Sequence, residues 1–354
     1  MLMDSQRRKF LTWVINKKKL SLKDQHNFLY RLSQLLNNGY TLLHALEVLN
    51  WDRRWAFYTE RIYNSLIEGA SIDEALNHAN FNEKVVSFMY FSNSNSDLEG
   101  TLNHCCIMLK QQIDYMKKFQ QTSRYPFGLL ILILVLLYFV KTSVYPSFLQ
   151  LFSSISNSSA ITNLSISVVT ILFNSLLISI LIIIFTVLVW QLAKSKLETR
   201  IKIQIYNFIP IVRSFMRLNT TFLFSLHLSS LLKAGSTLKE AFQTLNSQSQ
   251  LLIISYYSSL IIRDVEKGYS LSEVLSSFLL FEKELSTIFQ DNINNQALEK
   301  DLSIYSGFLM DQIQDKIKTS LSLIQPIFFV LMAGLIIFIY LSLMLPMFQL
   351  IQSI

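Results

Sequence analysis

One eight-residue pattern occurs four times in this chain, and its recurrence constrains the fold more than any other feature. A glycine is followed by any residue, Ser or Thr, an aliphatic residue and two variable residues, then by a small and an apolar one. The copies begin at Gly39, Gly69, Gly235 and Gly268. The physical reading is a tight helix–helix junction. Glycine ends one helix in the left-handed region, where a Cβ is costly. Thr41, Ser71, Thr237 or Ser270, two residues on, caps the next helix, because its hydroxyl accepts an N–H that has no partner at a helix start. Glu74, Glu240 and Glu273 stand where they complete a capping box.

The copies pair. Gly39 to Gly235 is a step of 196 residues and Gly69 to Gly268 a step of 199. Phe28, Leu32, Leu35 and Leu36 match Phe224, Leu228, Leu231 and Leu232 at helical spacing, one apolar face in each copy. Pro126 and Pro146 match Pro326 and Pro346 at a step of 200. The repeated unit is therefore a helical bundle of about 100 to 125 residues, large enough for its own core, followed by one apolar helix. No sustained period-two alternation or Asn-Gly hairpin signal is present, so the expected class is all-α.

Three stretches have membrane length. They are Phe127 to about Phe148, Val168 to Leu192 and Ile327 to about Leu350; the second and third carry no charge. About 20 apolar residues cross a hydrocarbon core of about 30 Å. Lys141, late in the first, is placed to snorkel to the far interface. Hydrophobic residues make up 51% of the chain and charged ones only 16%, which argues against an ordinary soluble protein.

Basic residues set the orientation. Of 31 Lys and Arg, 30 lie in residues 1–125 and 193–320. Two such segments, with three crossings, share the cytoplasmic side. The expected organisation is a basic N-terminal arm (1–20), a first cytoplasmic bundle (21–124), a membrane helix bounded by Pro126 and Pro146 (125–150) and a short outer loop (151–167). A second membrane helix (168–192), a second cytoplasmic bundle (193–322) and a third membrane helix with a short outer tail (323–354), bounded by Pro326 and Pro346, complete it. The second membrane helix has no copy; it returns the chain so that both bundles face the same way. The net charge of +7 then follows from topology, and no direct nucleic-acid binding is expected. The arm, with Arg7-Arg8-Lys9, Lys17-Lys18-Lys19 and intervening Phe10, Leu11, Trp13 and Val14, reads as a contact for anionic lipid or a partner, or as a solvated helix.

Catalytic chemistry has no visible carrier. There is no phosphate-cradling glycine loop and no G-x-S-x-G elbow. His26, His44, His78, His104 and His227 show no H-x-x-x-H ligand spacing, and adjacent Cys105 and Cys106 suit neither a disulfide framework nor a four-cysteine zinc site. No cofactor is expected. Asn174, Ser175 and Ser179 read as helix–helix contacts. Asp97 and Glu99 are candidates for a divalent cation or a basic partner, against the plainer reading of a solvated helix end.

These residues resemble the type II secretion system F family, the inner-membrane platform proteins of type II secretion systems and type IV pili. The resemblance rests on LLNNGYTLLHAL at 35–46, EGASIDEAL at 68–76, LLKAGSTLKEAF at 231–242, KGYSLSEVL at 267–275 and the ending QPIFFVLMAGLIIFIYLSLMLPMFQLI at 325–351. The short N-terminal region and the ending are most similar to the competence branch of Gram-positive bacteria. One departure touches the acidic site. The family's Gly-Glu, then Ser/Thr-Gly, then Leu, stands here as Ser96-Asp97-Leu98-Glu99-Gly100-Thr101-Leu102, and the second copy near Leu298-Glu299-Lys300 is further degraded.

The resemblance implies a non-enzymatic platform in the cell membrane, with two cytoplasmic docking domains and no resident cofactor. Its expected partners are a separate hexameric cytoplasmic ATPase, pilin-like subunits received from the lipid bilayer, and further copies of the chain. The leading expectation is assembly of a competence pseudopilus for DNA uptake. A type IV pilus or type II secretion platform is the near alternative, and an oligomeric transporter or channel the alternative of another class.

Overall fold

The computed structural model describes residues 20–95, 98–144, 146–147, 150, 160–193, 197–248, 250–291 and 294–352. Apart from Leu20, the basic arm lies outside them, and so does the loop at 151–159. Regular structure among the described residues is helical, with no strand. The chain divides into two compact units, 1–115 with 199–316, and 116–198 with 317–354.

The first unit holds both bundles. In chain order the first comprises α1 (Leu22–Asn37), α2 (Leu42–Leu49), α3 (Ala56–Ile67), α4 (Ile72–His78), α5 (Glu83–Asn95) and the start of α6 (Leu98–Phe139). After a π turn (Val140–Val144) and α7 (Ala160–Ala193) come α8 (Thr199–Phe208) and α9 (Pro210–Lys233). The second bundle is completed by α10 (Leu238–Ser247), α11 (Leu252–Glu266), α12 (Leu271–Ser276), α13 (Lys283–Asp291) and the start of α14 (Asn295–Gln352).

Four junctions share one geometry. Gly39, Gly69, Gly235 and Gly268 have φ of +85°, +90°, +89° and +93°. At each, the glycine N–H reaches back three residues and the next N–H five: Tyr40 to the Leu35 carbonyl at 3.1 Å, Ala70 to Ser65 at 3.0 Å, Ser236 to Leu231 at 3.1 Å and Tyr269 to Asp264 at 3.2 Å. This paired bonding satisfies carbonyls that a helix end would leave open. The next helix begins at once. Thr237 N–H donates to the Glu240 carboxylate at 2.8 Å and Glu240 N–H to the Thr237 hydroxyl at 3.3 Å. Ser270 and Glu273 bond the same way at 3.2 and 3.3 Å, and Ser71 N–H donates to Glu74 at 3.0 Å. The hydrogen bonds from Thr237 hold the Glu240 carboxyl below its ordinary value, as those from Ser270 do for Glu273.

Each bundle is built on a core of its own, with Phe91 of α5 reaching into the second. Phe28 is fully buried in the first, edge-on to Phe81 at 5.4 Å and Trp55 at 5.9 Å. Phe224 is fully buried in the second, 4.8 Å from Phe281.

The second unit is built on apolar helix. α6 and α14 are long and apolar enough to cross a membrane, over Leu98–Val144 and Asn295–Leu341. Ile133, Leu137 and Val140 pack with Met332 and Ile339, with Leu129 and Leu335 beside them. The spacing of three and four keeps one stripe of each helix in this seam. α7 contains the uncharged stretch 168–192 within 34 helical residues, about 51 Å of helix. Asn174, Ser175 and Ser179 are exposed on it, and Lys141 is half-buried in the π turn.

Three of the matched prolines lie within helices and not at their ends. Pro126 lies inside the 42 residues of α6, and Pro326 and Pro346 inside the 58 of α14. Pro146 lies two residues past the π turn. A proline removes one backbone bond and kinks more often than it stops a long helix whose neighbouring turns are satisfied. The change from bundle to apolar segment along α6 and α14 is therefore one of side-chain chemistry.

Candidate functional site at the seam of the two bundles

A cleft lined by titratable and aromatic side chains lies inside the first unit, where α9 of the second bundle meets α5 and α6 of the first and α14 of its own. Its cavity is about 110 Å³. Phe88 and Phe91 come from α5; Gly100, Thr101 and His104 from α6; His227, Ser230 and Lys233 from α9; Glu299 and Ser303 from α14. α9 supplies the closure because its two faces are committed to different cores. Phe224, Leu228 and Leu231 enter the second core, Leu226 packs against the first, and Leu223 touches both.

His227 is the central group. It is 2% exposed, stacked on Phe91 at 4.0 Å and edge-on to Phe88 at 5.0 Å. Its Nε2 has no hydrogen-bond partner among the described residues. Burial pushes its pKa down to about 3, and the charge of His104 acts in the same direction. The ring is neutral at physiological pH, so it serves as an aromatic filler with one unused polar atom. Buried Ser87 and Ser225 hydroxyls also have no partner among the described residues. A seam carrying unsatisfied polar atoms is weaker than an apolar core of equal area.

The acidic candidates separate here. Asp97 lies outside the described residues. Glu99 is exposed at the start of α6, while Gly100 and Thr101 beside it line the cleft opposite Glu299. No group of three or more His, Cys, Asp or Glu residues able to hold a metal occurs among the described residues. Cys105 and Cys106 are buried in the first core.

Two residues outside the repeated glycine pattern tie each bundle together. Gln25 is fully buried, donates to the Leu20 carbonyl at 2.8 Å and accepts from Asn82 N–H at 2.8 Å. Thr221, fully buried at the equivalent position, accepts from Glu282 N–H at 2.9 Å. Each stands three residues before the core phenylalanine and satisfies the backbone where α5 or α13 begins. The step of 196 between them was the available signal, but Gln and Thr share no obvious chemistry.

A duplicated helical bundle, each copy running on into a membrane-length helix, defines a membrane protein of repeated architecture. The chain belongs to the type II secretion system protein F family, which matches residues 28–146 and 224–346. It is similar to ComG operon protein 2 of Bacillus subtilis, 26% identical over 322 residues, 89% of this chain and 98% of that one. A ComG operon protein 2 homologue of Halalkalibacterium halodurans is 26% identical over 328 residues, 90% of this chain and all of that one. The type IV pilus assembly protein PilC of Thermus thermophilus is 20% identical over 343 residues, 94% of this chain and 84% of that one.

Proposed function

We propose that this chain is the membrane platform of a competence pseudopilus, a type IV pilus-like filament used in DNA uptake. Membership of the secretion protein F family, with relatives named for the ComG operon and for pilus assembly, supports a platform of the type IV pilus and type II secretion kind. Competence, as opposed to protein secretion, rests on the relatives' ComG names.

The observation that carries the mechanism is the continuity of α6 and α14. Each begins in a bundle core, at Leu102 or Leu302, and continues without interruption into an apolar segment. A push or twist on a bundle is carried along such a helix, with Pro126 and Pro326, where one backbone bond is missing, as its bending points. A hexameric cytoplasmic ATPase would act on the bundles. Pilin-like subunits would meet the apolar helices by their own and leave the bilayer for the filament. The chain itself is not the enzyme; its bundles serve as docking bodies and work as part of a homo-oligomer.

The topology proposed is three crossings, at 125–150, 168–192 and 323–354, in the plasma membrane. The N-terminus and both bundles are cytoplasmic, and the C-terminal end is outside. The distribution of Lys and Arg supports this.

The test is a clean deletion with a complemented control. Loss of the pilin-like subunit from the cell surface, with the ATPase and subunit still made, places the chain at the assembly step. Loss of transformation in the same strain assigns the filament to DNA uptake. A normal surface filament overturns the proposal.

A further inference from the structure

The corner between α8 and α9 carries two apolar faces. One is committed: Ile203 is buried in the second core, with Tyr206 and Met216 packed beside it. The other is open. Phe208 is 87% exposed and Ile211 79%, and Ile201, Ile209 and Phe215 are exposed with them. Ile201 and Phe208 are seven residues apart on α8, and Ile211 and Phe215 four apart on α9, so each pair shares a face. The faces meet at Ile209–Pro210, where proline takes the first helical position.

The charge here has one dominant sign. Residues 194–217 hold six Lys or Arg and one acid, Glu198. Arg217 is tied to Glu282 at 2.8 Å. Arg200, Lys202 and Arg213 have no ion-pair partner among the described residues. Five residues separate the end of α7 at Ala193 from Thr199, a reach of about 20 Å. The first bundle is preceded by the same composition, with Phe10, Leu11, Trp13 and Val14 between Arg7-Arg8-Lys9 and Lys17-Lys18-Lys19.

We propose that the α8–α9 corner is a membrane-surface anchor, with Phe208, Ile209 and Ile211 inserted at the headgroup boundary and Arg200, Lys202 and Arg213 on anionic lipid phosphates. An exposed apolar wedge ringed by cations fits an anionic bilayer surface. A protein partner of mixed charge would call for acids in the rim, and a second copy would bring the same cations face to face. The proposal rests on the membrane nature of the chain and not on filament assembly.

The test uses the full chain in vesicles of phosphatidylcholine, with or without phosphatidylglycerol. Phe208→Cys is labelled with an environment-sensitive fluorophore; Cys105 and Cys106 are buried and stay unlabelled. Expected are blue-shifted emission and quenching by a lipid with a shallow doxyl group, stronger with phosphatidylglycerol. The triple variant R200Q/K202Q/R213Q should lose that anionic-lipid gain several-fold. Ile211→Cys repeats the measurement should Phe208→Cys perturb folding, and Glu68→Cys, exposed on the first bundle, is the unquenched control. Water-like emission at both corner sites in both vesicles overturns the proposal. So does blue-shifted emission without lipid quenching, accompanied by disulfide crosslinking between unlabelled copies of the Phe208→Cys variant, which assigns the face to a second chain.

Discussion

The two bundles solve one folding problem with different side chains. What they share is backbone geometry: left-handed glycines at Gly39 and Gly69, and at Gly235 and Gly268, each with the same pair of back-reaching bonds. They also share the buried phenylalanine with a polar residue three positions before it. What differs is the filling. In the first bundle Trp55 is fully buried, with the guanidiniums of Arg31 and Arg54 over its ring at 4.9 and 5.2 Å. Arg54 is in turn bonded to Asp52, and holds that carboxyl down at about 2. The second bundle uses Tyr257 stacked on Phe278 at 4.3 Å, its hydroxyl accepting from Leu280 N–H at 3.2 Å. The duplicated element is therefore a set of helix ends. Cores of suitable volume were then free to diverge around them.

The largest test removes the shared anchor. Phe28→Ala and Phe224→Ala should each cost about 3–5 kcal/mol. Urea-dependent pulse proteolysis of the full chain in detergent reads this loss. Equal costs support equivalent cores; a tolerated substitution in one copy breaks the equivalence.

The next test bears on the seam, which has no internal copy. In the unfolded chain His227 takes up a proton near the ordinary histidine value of about 6.5. In the folded chain it does so only near pH 3. Between those values the unfolded state binds the extra proton. Stability therefore falls as pH drops from about 6.5 towards 3, and is unaffected by this group above that range. The expected loss is about 3 kcal/mol between pH 7 and pH 4. His227→Phe should lack that part of the pH dependence, since the ring stays packed on Phe91 without a titrating nitrogen. Identical slopes for the two proteins would remove His227 from the seam's account.

Legibility divides by distance along the chain. The all-helical class and the duplication are readable because they rest on local patterns and on their recurrence. The glycines of the pattern and the left-handed φ values coincide because a rule spanning eight residues produces both. Asn80, at φ +58°, makes a further junction of the same bonding without glycine. Only the tolerance of asparagine for that region hinted at it. The Gln25–Asn82 and Thr221–Glu282 ties join residues about sixty positions apart, and no local pattern records them. The seam at His227 depends on how two finished bundles meet. Pro126 and Pro326 mark where the composition turns apolar, and the helices run on through both.

Glycine substitution isolates backbone cost. A Cβ at Gly39 or Gly235 would meet nothing within 4 Å. The penalty of Gly39→Val or Gly235→Val is therefore conformational, about 1–2 kcal/mol each. Asn at either site should cost less, because it enters the left-handed region more readily. Equal stability of the Val and Asn variants in the proteolysis midpoint would count against the junction geometry.

The smallest effect discriminates most finely between the copies. Thr41 accepts from His44 N–H at 3.4 Å and has no acid at the third helical position, whereas Thr237 and Glu240 bond reciprocally. Thr237→Ala should cost about 1 kcal/mol, near the middle of the range for a lost cap. Thr41→Ala should cost less, because its bond is longer and nothing answers it. His44→Glu would supply the missing partner; it also removes the His44–Glu47 pair at 3.1 Å, so the first bundle's midpoint at neutral pH should rise only slightly. That gain should vanish as acid protonates the new carboxylate, as the native Glu240 contribution should. If His44→Glu lowers the midpoint, the lost His44–Glu47 pair outweighs the new bond, and the first junction rests on its glycine, its back-reaching bonds and the single Thr41 cap. The two bundles would then differ in how their second helices start, and not merely in what fills their cores.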